Sequence, residues 1–241
     1  MEHIALDPAD AADAILRIAP DRAIAFDLGG VLLRGGVLEA GTEAAAFATL
    51  EARFGVPAGE AERIWVTSLA PSETGELPEA DVWAAIAALA PGSGPADGRP
   101  DGSQPDTLAD DIRTAVLDMA VPDDAAVAAL ARLKAAGVRT ALASNHLASW
   151  IDEWRRRFPW FAALDAVVCS EAVGVRKPDP RFFRLLRSVM GDPNVDPWFV
   201  DDRGPSVEAA RAGGFVGVWA APDGRWHLPA ARLDGMHGLP I

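Results

Sequence analysis

The sequence predicts an α/β protein, a doubly wound parallel sheet interrupted by an all-helical insertion. Three observations carry this. Short apolar runs alternate with longer stretches of helical periodicity, the pattern of parallel strands covered on both faces. Residues 36–122 break the alternation, with helical patterns and no convincing strand. The chain has 241 residues, 50% hydrophobic and 24% charged, enough for one large α/β domain or for a domain carrying a sizeable insertion.

In chain order, residues 1–20 supply a short amphipathic helix and residues 22–26 the first strand. In the insertion, Phe47, Leu50 and Phe54 fit one helical face, Ile64, Trp65 and Leu69 a second, and Val82, Trp83, Ile86 and Leu89 a third. Residues 91–105 are nearly devoid of apolar side chains, so a mobile surface loop is expected there. Next, Asp123 and Asp124 cap a helix carrying Val127, Leu130 and Leu133, and Gly137 stops it. Four more strands are expected at residues 138–143, 166–169, 198–200 and 216–219. Asp179 and Pro180 provide an N-cap and a first-turn proline for a helix rich in Phe182, Phe183, Leu185, Leu186 and Val189. Residues 206–212 form another helix, ended by Gly213 and Gly214. The domain expectation is a core of residues 1–35 and 123–241, with residues 36–122 as the inserted helical domain.

Charge narrows the function. Lys and Arg number 22 against 35 Asp and Glu, a net charge of −13, which repels nucleic-acid phosphates and anionic lipid. Neither nucleic acid nor membrane is expected as a partner, and no oligomeric state is specified. The single cysteine, Cys169, forms no intramolecular disulfide and falls short of a zinc cluster. No apolar run approaches the ~20 residues of a membrane span, and the N-terminus lacks the cationic start and apolar stretch of a signal peptide. A cytoplasmic protein is expected.

Four segments bring chemistry to strand ends. Asp27 stands just beyond the first strand in Phe26-Asp27-Leu28-Gly29-Gly30, on the edge where open α/β sheets bind ligands. Ser144 and Asn145 end the second strand with a hydroxyl and an amide. Lys177, in Arg176-Lys177-Pro178-Asp179-Pro180, is a cation fixed by prolines and a helix cap. Asp201 and Asp202 end the fourth strand as adjacent carboxylates, which repel unless a cation or proton intervenes. Gathered at one sheet edge, these types make a phosphate site with a metal. They offer a carboxylate nucleophile, donors for phosphoryl oxygens, and hard oxygen ligands suited to Mg²⁺.

The order Asp, Ser-Asn, Lys-Pro, Asp-Asp resembles the haloacid dehalogenase superfamily of hydrolases, in particular its phosphatase-like members with a Rossmann-like core and a helical C1-type cap after the first motif. Gly75-Glu76-Leu77 before Trp83 resembles a recurring cap segment, and Val207-Glu208-Ala209-Ala210-Arg211-Ala212-Gly213 the helix after the fourth motif. The resemblance implies Asp27 as nucleophile, Ser144 as donor to the phosphoryl group and Lys177 as the cation bridging nucleophile and phosphate. It implies Asp27, Asp201, Asp202 and the Gly29 carbonyl as Mg²⁺ ligands. Asn145, His146 and Arg34 are further candidates for contacting a small phosphorylated substrate. The expected activity is Mg²⁺-dependent phosphomonoester hydrolysis. A phosphate-binding protein without turnover and a 2-haloacid dehalogenase are the alternatives.

The sequence departs from the family pattern at Gly29, where phosphatases usually carry a second Asp that protonates the leaving oxygen. General acid catalysis is worth ~10²–10⁴-fold, so a slower enzyme, one restricted to good leaving groups, or a substitute acid is implied. His146 is the candidate substitute, weighed against a loop histidine that contacts the helix after it. Ser206 stands where relatives often place Asn or Asp beside the metal acids.

Overall fold

The computed structural model describes residues 2–18, 23–38, 41–91, 105–191 and 196–233. The chain divides into two compact units, Met1–Leu32 with Pro122–Ile241, and Leu33–Val121.

The first unit holds a seven-stranded sheet. Its strands are β1 (His3–Leu6), β2 (Ala23–Phe26), β5 (Arg139–Ser144), β6 (Ala166–Cys169), β7 (Trp198–Asp201), β8 (Val216–Ala220) and β9 (Trp226–Pro229), in the order β1-β9-β8-β7-β2-β5-β6. Strands β8, β7, β2, β5 and β6 pair in parallel, while β9 is antiparallel to both its neighbours. The helices of this unit are α1 (Pro8–Ile18), α6 (Asp124–Ala135), α7 (Ala148–Arg157), α8 (Ser170–Val173), α9 (Pro180–Met190) and α10 (Gly204–Ala212). A separate two-stranded ribbon pairs β3 (Leu33–Arg34) with β4 (Val121–Pro122). The second unit is helical, with α2 (Glu43–Phe54), α3 (Ala58–Ser72), α4 (Glu79–Ala87) and α5 (Pro105–Asp118).

Four strands were not expected, the β3–β4 ribbon and two strands of the main sheet. The N-terminal residues form β1 before the amphipathic helix, and β9 lies in the C-terminal stretch; each closes the sheet by antiparallel pairing, His3 opposite Pro229 and Leu6 opposite Trp226. Residues 36–122 are not wholly helical, since β4 occupies Val121–Pro122. The first strand begins at Ala23, and Arg22 and most of the expected loop at 91–105 lie outside the described residues. Among the described residues, no helix is long and apolar enough to cross a membrane.

Side-chain alternation along the central strands builds the core, because neighbouring residues of a strand face opposite ways. Ala25, Ala141, Ala143 and Phe199 join one buried cluster with Phe182, Phe183, Leu186 and Met190 of α9 and with Phe215. Phe26, on the other face of β2, meets Trp226 of β9 with ring centroids 5.8 Å apart. Small residues on β2 and β5 let α9 approach, and its large rings fill the space. Asp179 starts α9 by accepting from the Arg181 N–H at 2.7 Å, with Pro180 in the first turn. At the start of α6, Asp123 accepts from the Ala126 N–H at 2.9 Å, while Gly137 takes a φ of +84° just past its end.

Phe183 touches three rings, Phe182, Phe199 and Phe215, at centroid distances of 5.8, 5.4 and 6.0 Å. Truncating it to Ala is expected to cost about 3–5 kcal/mol. For a chain of this length that lowers the melting temperature by about 10 °C, as differential scanning calorimetry would read. A change of a degree or two would mean that the cluster repacks.

Candidate active site

Strand β2 lies between β5 and β7, both parallel to it, so the carboxyl ends of three strands open at a topological switch point. Asp27 is the first residue beyond β2, its N–H bonded to the Val200 carbonyl at 2.8 Å. Ser144 is the last residue of β5 and Asp201 the last of β7, with Asp202 following. Lys177 stands in the irregular segment between α8 and α9. Asp27, Ser144, Lys177 and Asp201 are all buried.

Lys177 joins two of these segments. Its Nζ lies 2.9 Å from Asp27 Oδ1 and 2.6 Å from Asp201 Oδ2, and 5.4 Å from the Phe199 ring centroid, within reach of a cation–π contact. Asp27 Oδ1 also accepts from the Leu28 N–H at 2.7 Å, and Asp201 Oδ1 from the Arg203 N–H at 2.8 Å. Gly30 has a φ of +73°, and a Cβ there would stand 2.5 Å from Asp202 Oδ2. Glycine is therefore required twice over, by the left-handed backbone and by the approach of Asp202.

Asp27, Asp201 and Asp202 each present a carboxylate oxygen within 4.8 Å of the others. At that spacing each pairwise repulsion is ~3–4 kcal/mol for an effective dielectric constant near 20. Three carboxylates against one ammonium leave a formal charge of −2. Burial pushes the Asp201 carboxyl up to about 7, with the Asp27 charge adding to the rise and Lys177 opposing it. Burial and Asp27 likewise push Asp202 up to about 6. Burial also works against the Lys177 ammonium, but Asp201 and Asp27 together outweigh it and hold that amine above its ordinary value. Asp202 Oδ1 is buried with no hydrogen-bond partner among the described residues. A hard divalent cation such as Mg²⁺ fits these residues: it would cancel the residual charge and give the orphaned oxygen a partner.

Two residues expected to contact substrate have partners within the protein. Asn145 is engaged by the Lys177 backbone, its Oδ1 accepting from the Lys177 N–H at 2.7 Å and its Nδ2 donating to the Lys177 carbonyl at 2.8 Å. His146 turns its ring into an aromatic pocket, 4.9 Å from both Trp150 and Trp154 of α7, and its Nδ1 accepts from the Leu147 N–H at 2.9 Å. The ring thus packs against the helix that follows it. Gly29 lies half-buried in the turn after Asp27, and Arg34 is on β3 in the helical unit.

Several supports of the site carry no signal in the sequence. The Trp219 indole donates to the Asp202 carbonyl at 2.8 Å, because the parallel register of β7 and β8 sets Trp219 beside Asp201. The Arg203 N–H on Asp201 and the Phe199 ring beside Lys177 are further supports. Their roles arise from pairing and backbone geometry, which leave no local sequence signal.

The family model for haloacid dehalogenase-like hydrolases matches residues 22–214. The (S)-2-haloacid dehalogenase H-109 of Pseudomonas putida is 33% identical over 103 residues, 43% of this chain and 46% of that protein, so the match spans about half the length of this curated relative. An L-2-haloacid dehalogenase from Xanthobacter autotrophicus with chloropropionic acid covalently bound superposes with a TM-score of 0.53 at 20% identity, covering 81% of this chain and 76% of that one. A HAD family enzyme from Bacteroides thetaiotaomicron in complex with magnesium and inorganic phosphate superposes with a TM-score of 0.59 at 18% identity, covering 81% and 91%. These two solved structures share the fold.

Proposed function

Since the chain belongs to the haloacid dehalogenase-like hydrolases, we propose that it is a Mg²⁺-dependent phosphomonoesterase acting on a small phosphorylated metabolite through Asp27. The observation that carries this reading is the surplus of negative charge at a largely buried cluster: three carboxylates and one ammonium, with Asp202 Oδ1 lacking a hydrogen-bond partner among the described residues. Asp27, Asp201, Asp202 and the Gly29 carbonyl are the groups that would hold the ion. When bound, Mg²⁺ would neutralise the carboxylates and draw the phosphoryl oxygens to the site.

An Asp27 carboxylate oxygen attacks phosphorus, the ester P–O bond breaks, and the leaving oxygen takes a proton from solvent. Lys177 orients Asp27 through its 2.9 Å contact and supplies positive charge toward the phosphoryl oxygens, with Ser144 as a hydroxyl donor on the neighbouring strand. Water then attacks phosphorus, the P–O bond to Asp27 breaks, and phosphate leaves. With Gly29 where an acid would stand, substrates with good leaving groups, such as sugar 1-phosphates, suit the site best.

A second reading, 2-haloacid dehalogenation, is favoured by the 33% identical relative. There Asp27 would displace halide from carbon, and water would hydrolyse the resulting ester at its carbonyl. Asp201 and Asp202 weigh against it, because uncompensated carboxylates repel both the substrate carboxylate and the departing halide. Phosphate release from an activated aryl ester, measured with and without Mg²⁺ beside a haloacid panel, separates the two. Mg²⁺-dependent phosphate release is expected. Metal-independent halide release without phosphate release would overturn the phosphatase reading.

The raised carboxyls give a pH-dependent stability. Unfolded Asp titrates near 3.8, whereas folded Asp201 and Asp202 titrate near 7 and 6. Between those values the folded protein holds more protons, so in chelator its stability falls as pH rises from about 4 to about 7. Mg²⁺ requires the ionised carboxylates, so its stabilisation grows over the same interval. At a hundredfold excess over Kd it is worth ~2.7 kcal/mol, about 5–10 °C in melting temperature. Thermal scans should show a larger Mg²⁺ increment near pH 8 than near pH 5. Equal increments, or none, would contradict the metal assignment.

A further inference from the structure

We propose that Asn145 is a positioning residue for Lys177, acting through the lysine's backbone and not through substrate. Lys177 lies in a segment with neither helix nor strand on either side of it until Pro180, so no sheet ladder or helical turn satisfies its peptide groups. Buried backbone N–H and C=O groups need partners. Asn145 serves both, accepting from the Lys177 N–H at 2.7 Å and donating to the Lys177 carbonyl at 2.8 Å, across a sequence separation of 32 residues. This two-point clamp holds the peptide groups on both sides of the Lys177 Cα against the end of β5.

The clamp matters because of the side chain it carries. Lysine has a flexible four-carbon stem, and an ammonium is placed only if its Cα is placed. Here the ammonium must fit between Asp27 and Asp201, at 2.9 and 2.6 Å. Ser144, adjacent to Asn145, is the hydroxyl donor expected on the same edge. One dipeptide at the end of β5 therefore sets both a phosphoryl donor and the cation, and Asn145 contributes by holding the loop. A misplacement of ~1 Å near reacting groups can cost about 10²-fold in rate.

The sequence offers an unusually clean test, because Lys134 and Lys177 are the only two lysines. Lys134 is on the surface of α6, paired with Asp165, while Lys177 is 3% exposed. Acylation of each amine by acetic anhydride, followed by peptide mass spectrometry in buffer with Mg²⁺, reads their accessibility separately. In Asn145→Ala, Lys177 labelling is expected to rise about tenfold or more relative to Lys134. Turnover on an aryl phosphate should fall about 10²-fold with KM within about threefold. In Asn145→Asp, nearly isosteric, the acceptor for the Lys177 N–H remains but an oxygen now faces the Lys177 carbonyl, so the labelling ratio should rise again in a protein that keeps its wild-type circular dichroism.

Unchanged Lys177 labelling in both variants would overturn the proposal. So would a raised KM with turnover held, the signature of a side chain that touches substrate. Labelling that rises equally at both lysines in both variants would also overturn it, because the bonds would then be general supports of the fold. The turnover arm rests on the phosphatase reading, but the labelling arm needs no substrate. A wild-type protein inactive on phosphate esters sinks that reading and leaves the Asn145 result to stand or fall alone.

Discussion

Asp27→Asn is expected to lower phosphate release by on the order of 10⁴–10⁶-fold, the scale seen when a covalent nucleophile is removed. The amide is nearly the same shape, and its oxygen still accepts from the Leu28 N–H, which Asp27 Oδ1 now does at 2.7 Å. Lys177 keeps its 2.6 Å partner in Asp201. Structure should therefore survive while chemistry fails, because an amide oxygen forms no stable phosphoryl ester at this step. Steady-state kinetics and calorimetry on the same preparation check both halves: lost turnover with a melting temperature within a few degrees of wild type. A variant retaining a tenth of the wild-type rate would remove Asp27 from the chemistry.

Lys177→Met should damage both activity and stability. The ammonium is the only cation within hydrogen-bonding distance of Asp27 and Asp201 among the described residues. Removing one partner from a buried ion pair costs about 3–5 kcal/mol, because the remaining charge stays buried and uncompensated. Here two carboxylates are left facing each other, which adds their mutual repulsion. A fall in melting temperature of about 10 °C or more is expected, partly recovered by Mg²⁺. Turnover should drop by about 10²–10³-fold or more, the usual effect of losing a group that stabilises developing charge. Lys177→Arg should not restore activity, because a planar guanidinium has neither the compact charge nor the reach geometry of an ammonium. Turnover within tenfold of wild type in the Met variant would show that Lys177 is structural only.

Most of the carboxylate cluster was legible because it sits at strand ends. An apolar run followed by Asp27, by Ser144 or by Asp201 and Asp202 declares which edge the side chain occupies, and parallel pairing of β2, β5 and β7 brings those edges together. Lys177 was legible through the capped helix that follows it. The sheet margins were not. Strand β1 is four residues long and finds its partner more than 200 residues away, in β9, so neither carries a local pattern strong enough to announce pairing. Helix α5 was hidden for another reason: Ile112, Ala115 and Val116 are buried, but Asp110 and Asp111 beside them and the polar stretch before it mask the apolar stripe.

Asn145 and His146 mark the other limit. Their position after β5 puts them at the carboxyl edge of the sheet, but the direction of each side chain is decided by groups outside that turn. Asn145 is captured by the Lys177 peptide, and His146 by two tryptophans of α7. A turn residue with polar atoms has many partners to choose from, and sequence does not rank them. The same holds for Trp219, whose bond to the Asp202 carbonyl depends on strand register alone.

In the proposed reaction Asp27 becomes covalently phosphorylated and water then attacks phosphorus. An acid-quenched single turnover of an aryl phosphate with Mg²⁺ in heavy-oxygen water, read by peptide mass spectrometry, tests this directly. The Asp27 peptide is expected to gain transiently the mass of one phosphoryl group, and the heavy oxygen to appear in the released phosphate alone. Heavy oxygen accumulating in the Asp27 carboxylate, with no phosphoryl adduct at any time point, would contradict it and point to an ester cleaved at its carbonyl.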